Sequence, residues 1–222
     1  MWNILLSVLL SLINSVLIVG VFYVAVYFLN KPYELNIKTQ KFLIKDKVVI
    51  IIGILCFIVS FFVTFFRFPD MTFELKTLTT VLLCALPILS VCDIKKTVVP
   101  NMIIVILLII WAVVISTGII MNVSAGVQLL GKSLGGGLIA GAIFLLCYII
   151  SKKQLGAGDV KVAFCMGLYM TTARMFGGIF YGSLACCIFS IIQMCRKKLS
   201  IKSGVPMVPF LYFGCIITYI IL

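Results

Sequence analysis

The 222-residue chain contains no histidine, and charged residues make up only 11% of it, six acids against 18 lysines and arginines. No two of its nine cysteines have CxxC spacing. Without histidine or paired cysteines, zinc, haem and iron–sulfur centres lack their usual ligand sets, so neither a metal site nor a cofactor is expected. The scarcity of charge stands against 64% hydrophobic residues and a mean hydropathy of +1.30. That balance excludes a soluble enzyme, a disordered chain and a disulfide-stapled secreted module. The net charge of +12 fits loops facing a cytoplasm and anionic lipid headgroups better than it fits a nucleic-acid-binding surface.

What is present is a series of long apolar runs. A spanning helix needs about 20 apolar residues, and eight segments qualify as candidates: 2–29, 48–66, 77–92, 102–121, 131–150, 160–173, 177–194 and 205–222. The expected fold is therefore all-α, a polytopic membrane helix bundle of about eight transmembrane helices. It forms a single integral membrane domain over 1–222. Residues 1–76 hold the N-terminal helices and a short basic loop, 30–47, and residues 77–222 hold the core that carries the chemistry. No connecting loop is long enough for a soluble domain, so the protein acts in or beside the bilayer.

Basic residues alternate between loops. Lys31, Lys38, Lys41, Lys45, Lys47, Lys95, Lys96, Lys152, Lys153, Lys161, Arg196, Lys197, Lys198 and Lys202 make 14 on one side. Arg67, Lys76, Lys132 and Arg174 make 4 on the other. The positive-inside rule assigns the first group to the cytoplasm and places both termini outside. The cysteines, Cys56, Cys84, Cys92, Cys147, Cys165, Cys186, Cys187, Cys195 and Cys215, lie in or beside apolar runs and read as small packing residues. Glycine pairs such as Gly131/Gly135, Gly137/Gly141 and Gly178/Gly182 have the spacing that lets helices approach closely. Pro87, inside the third run, is expected to kink it.

Six acids can be considered one by one. Glu34, Asp46, Asp70 and Glu74 read as solvated loop residues. Asp93 ends the third run and Asp159 opens the sixth, both at cytoplasmic helix ends by the charge argument. Sixteen residues separate Lys76 from Asp93, about 24 Å of helix, and 14 separate Asp159 from Arg174, about 21 Å, against a hydrocarbon core of about 30 Å. Both carboxylates thus fall slightly inside the inner boundary, at matching depth on two helices. Either one alone is explained by pairing with an interfacial lysine. Held together, two carboxylates cannot both ionise cheaply, so they share a proton and titrate as a pair. The ionised member can take a proton from water while the protonated one polarises a peptide carbonyl and then protonates the leaving amine. Gly156 and Gly158, just before Asp159, offer backbone along which an extended substrate could run.

Gly156-Ala157-Gly158-Asp159-Val160-Lys161 is a GxGD motif continued by Val and Lys, and Asp93 is followed seven residues later by Pro100 and then Asn101. On these two motifs, 66 residues apart, residues 80–220 resemble the type IV prepilin peptidases, members of the GxGD class of intramembrane aspartyl proteases. The resemblance implies Asp93 and Asp159 as catalytic residues, with Gly156, Gly158, Lys161 and Pro100 as active-site or substrate-binding support. It also implies cleavage of the short basic leader of type IV prepilin-like precursors at the cytoplasmic face of the cell membrane, just before their hydrophobic helix. Many bacterial relatives carry a larger cytoplasmic domain with two CxxC pairs and also methylate the new N-terminus. The corresponding loop here, Asn30–Lys47, is lysine-rich and lacks cysteine, so a peptidase-only form is expected.

Two alternatives stay open: a presenilin- or signal-peptide-peptidase-like GxGD protease, and a small transporter with Asp93 and Asp159 as ion sites. The first class has Tyr before its first Asp, where this chain has Cys92, and a PAL motif that is absent. The second predicts inverted repeats, and none is seen. Gly126–Ser133 matches GxxxxGK[ST] but lies between membrane runs, away from cytoplasmic nucleotide. Asn122-Val123-Ser124 is a formal glycosylation acceptor without expected consequence. Val205-Pro206-Met207-Val208-Pro209-Phe210 opens the last run. It reads first as a rigid helix start and second as a segment lining the active site, as a proline-containing segment does in presenilin-like relatives.

Overall fold

The computed structural model describes residues 71–96, 99–151, 155–196 and 205–221, together with positions 5, 8, 9, 13, 55 and 58–63. The predicted runs 2–29 and 48–66, and the basic loop 30–47, lie largely or wholly outside the described residues. Among the described residues the chain is helical, without strands. The helices are α1 (Phe73–Lys96), α2 (Asn101–Met121), α3 (Val123–Ile150), α4 (Ala157–Cys195) and α5 (Val208–Ile221). Four of them hold segments long and apolar enough to cross a bilayer, namely Phe73–Ile94, Asn101–Met121, Val123–Ile150 and Ala157–Cys195. The apolar α5 is shorter, 14 residues, or about 21 Å.

Helix α1 is the centre of the bundle. Its sequence is apolar on every side, as a helix surrounded by others requires, and Leu78, Leu82, Leu83, Leu86 and Leu89 are fully buried. Helices α2, α4 and α5 pack against it, and α3 packs on α4 and α2, with much of the outer helix surface facing outward, where lipid tails are as suitable a solvent as protein. Glu74 and Lys76, expected in a loop, belong to the first turn of α1. Lys76 is buried, and the Glu74 side chain lies against Gly118.

The connection from α2 to α3 is a single residue rather than the loop expected before 131. Asn122 caps α3, its side-chain oxygen accepting from the Ala125 amide at 3.1 Å. The reversal needs glycine at 126, because a Cβ there would sit 2.5 Å from the Ile119 backbone. Helix therefore runs through Gly126–Ser133, which rules out a phosphate-binding loop. Ser133 is buried instead, accepting from Trp111 Nε1 at 2.7 Å and donating to the Leu168 carbonyl.

Helix α4 covers the sixth and seventh predicted runs as two helical halves, and the boundary expected between 173 and 177 falls close to the observed one. It breaks at Thr171, whose φ of 59° and ψ of 174° are not helical. A β-branched residue rarely adopts positive φ, and holding it there costs about 1–3 kcal/mol. Past the break the chain folds back on itself: a Cβ on Gly178 would meet Met166 and Met170, residues that a continuous helix would leave more than a turn away. Gly136 and Gly167 bring α3 and α4 into backbone contact, each Cβ position lying under 2.5 Å from the other's carbonyl oxygen. Gly137, Gly141, Gly178 and Gly182 also face neighbouring helices, as their spacing suggested, whereas Gly131 faces open space. Cys84, Cys92, Cys165 and Cys215 are buried packing residues. Cys147, Cys187 and Cys195 are exposed, so the packing role does not extend to them.

Candidate active site

This connectivity gathers the C-terminal end of α1, the N-terminal ends of α2, α4 and α5, and the returning half of α4 at one end of the bundle. Asp93, in the last turn of α1, is 5% exposed, and Asp159, in the first turn of α4, is 8% exposed. The two carboxylates lie within electrostatic range of each other. Sequence reasoning singled out this pair, and the fold brings it together.

Each carboxylate is held by backbone. The Val208 amide donates to Asp93 Oδ2 at 3.0 Å, and the Met207 amide also points at this side chain. These N–H groups at the start of α5 have no partner within their own helix, and an anion is their natural acceptor. Asp159 sits three residues past the N-cap, Gly156, and its carboxylate reaches back to the Gly156 amide. This is the side-chain half of a capping box. A Cβ on Gly156 would stand 3.0 Å from Asp159 Oδ2, so glycine leaves that oxygen room.

Gly158 behaves otherwise than expected. Its face is not open to a substrate backbone, because Val99 fills it: an added Cβ would lie 2.7 Å from Val99 Cγ2 and 2.9 Å from Val99 Cβ. The contact presses the segment after Asp93 against the turn before Asp159, which sets the spacing of the two motifs. Pro100 is half-buried and begins α2, with φ −65° and its carbonyl accepting from Ile103 at 3.2 Å. It orients Asn101, whose Oδ1 accepts from Lys161 Nζ at 2.8 Å. The two motifs are therefore joined twice, by an apolar contact and by a hydrogen bond.

Four residues at the site were not identified from sequence. The Val208 and Met207 amides could not be found from residue identity, because any residue but proline supplies an N–H. Val99 carried only its position before Pro100. Cys186, on the returning half of α4, lies within electrostatic range of both aspartates. Its neighbours one turn away, Gly182 and Phe189, pack on Phe210 and Leu211 at the start of α5, a helical spacing visible only once the partner helix is known. The proline-containing segment starts α5, and its Met207 and Val208 amides face Asp93.

A helical membrane protein with two buried carboxylates within electrostatic range of each other at one end of the bundle is the class that fold and site define. The model of the type IV leader peptidase family matches residues 79–191, and the chain belongs to that family of peptidases. None of the curated proteins and none of the solved structures matches it.

Proposed function

We propose that this protein is a membrane-embedded aspartyl endopeptidase that removes the basic leader from type IV prepilin-like precursors at the cytoplasmic face of the cell membrane. The observation that carries the reading is the convergence of Asp93 and Asp159, from different helices, into one buried site. Sharing one proton, the pair does two jobs. The ionised carboxylate takes a proton from water, which attacks the scissile carbonyl. The protonated one hydrogen-bonds that carbonyl and then protonates the leaving amine. The amides at the start of α5 keep Asp93 oriented, and the Gly156 amide does the same for Asp159. Water is thereby activated in a partly dry setting that strengthens each of these interactions.

The test is co-expression with a tagged precursor, followed by mass spectrometry of the precursor's N-terminus. Wild-type protein is expected to remove the leader and Asp159→Asn to leave it in place. The new terminus is expected without the ~14 Da of an added methyl group. An intact precursor with well-folded wild-type protein would overturn the assignment.

A further inference from the structure

A groove of about 500 Å³ opens between α2, α3 and the first half of α4, within the roughly 300–1,000 Å³ of ligand clefts. It begins at Val160 and Lys161, the two residues after Asp159, and Ile104 of α2 lines it. Along α3 it follows Leu138, Ala142 and Leu145, positions that share one helical face. Leu138 is 63% and Leu145 48% exposed. Among the described residues, the exposed, apolar wall and its place in spanning helices turn this groove toward the bilayer. Its floor includes Gly141 and Ala142, small residues that allow another helix to approach closely.

Lys161 is the one charged side chain among the described lining residues, and it stands at the end nearest the aspartates. Its hydrogen-bond partner, Asn101, is a neutral carboxamide, so the ammonium offers its full charge to whatever enters. An occupant must therefore be apolar along its length and anionic at the Lys161 end. A helix entering with its N-terminus at that end brings the positive pole of its dipole toward a cation. It fits only if a carboxylate in its first turn faces Lys161.

We propose that this groove seats the apolar helix of the precursor, with its N-terminal end beside Asp159 and a first-turn carboxylate paired with Lys161. The proposal rests on the peptidase reading above, in which the scissile bond precedes an apolar helix. With the helix in the groove, the bond to be cut lies next to the dyad. The cationic side chain selects for the mature segment and not for the basic leader, which Lys161 would repel.

The test uses the full chain carrying Asp159→Asn in phosphatidylcholine vesicles, with a precursor that has a basic leader, an apolar helix and a glutamate in that helix's first turn. Photoreactive benzoylphenylalanine replaces Leu138, Leu145 or, as a control, Phe180, which is exposed on the returning half of α4 and away from the groove. Precursor adducts are expected from the first two positions and not from the third, unchanged when phosphatidylglycerol is added. Equal labelling at Phe180, lipid adducts displacing precursor adducts, or adducts only to a second copy of the chain would each overturn the proposal.

A second measurement uses turnover by otherwise wild-type protein. Ala142→Trp, at an exposed position, is expected to raise KM for the helix-bearing precursor about tenfold, equivalent to ~1.4 kcal/mol of binding. Cleavage of a soluble peptide spanning the leader junction should be affected far less, so the ratio of the two KM values is the readout. An unchanged KM for the long precursor, or equal losses on both substrates, would count against the groove. Leader removal without labelling at Leu138 and Leu145 would sink the groove and leave the peptidase standing. Labelling there by a precursor that the wild-type protein never cuts would keep the groove and sink the peptidase.

Discussion

Replacing Gly158 by alanine tests how the two aspartates are kept in register. The new Cβ would lie 2.7 Å from Val99 Cγ2 and 2.9 Å from Val99 Cβ, whereas carbon atoms rest at about 3.5–4.0 Å. The Val99–Pro100 segment and the first turn of α4 must then separate by about 1 Å. Overpacking of this kind costs about 1–3 kcal/mol. A 1 Å displacement of reacting groups can lower turnover about 100-fold. Because Asp159 lies in the turn being displaced and Asp93 is tied through the chain just before Val99, activity is expected to fall much further than stability.

Val99→Ala separates this account from direct obstruction of the substrate. It removes Cγ2 but leaves Val99 Cβ at 2.9 Å, so relief is partial. The double variant Gly158→Ala/Val99→Ala is expected to recover part of the lost activity, with a coupling of about 0.5–3 kcal/mol in the four-protein cycle. The assay is the rate of leader removal by the four proteins in vesicles, with Tm in detergent for each. Full activity and unchanged Tm in Gly158→Ala would refute the contact. A loss that Val99→Ala leaves untouched would return Gly158 to the role of a substrate track.

Asp93→Asn and Asp159→Asn are each expected to lower cleavage by at least about 100-fold. Both proteins should still accumulate in the membrane, because an asparagine oxygen can accept the same backbone amides; a variant keeping near-normal activity would contradict the dyad. Ser133→Ala should lower stability by about 1–3 kcal/mol, since it strands the half-buried indole N–H of Trp111 and the Leu168 carbonyl, and thermal unfolding in detergent measures this. Gly136→Ala and Gly131→Ala form a matched pair on α3. The first sets a Cβ 2.4 Å from the Gly167 carbonyl oxygen and should cost about 1–3 kcal/mol. The second meets nothing within 4 Å and should leave Tm unchanged or raise it, by up to about 1 kcal/mol of helix propensity.

By itself the sequence determined that this is a helical membrane protein, because 64% apolar composition and long uncharged runs leave a backbone no solvent but its own hydrogen bonds. It also marked Asp93 and Asp159, since a carboxylate inside an apolar run is costly and needs a reason. Helix ends were less legible. In lipid-facing stretches an apolar residue suits loop edge and helix alike, so the one-residue turn at Asn122 had no hydropathy signal, whereas Arg174, between the sixth and seventh runs, marked the break at Thr171 to within a few residues. Small-residue spacing showed that helices touch but not which ones: Gly136 and Gly167 meet, while Gly131 meets nothing. The partners of each carboxylate were decided only by tertiary structure. Backbone amides at the start of α5, the Val99 side chain against Gly158, and Asn101 on Lys161 all depend on where distant segments stop in space. A single chain records each residue's chemistry, but which atoms it will face is fixed by packing.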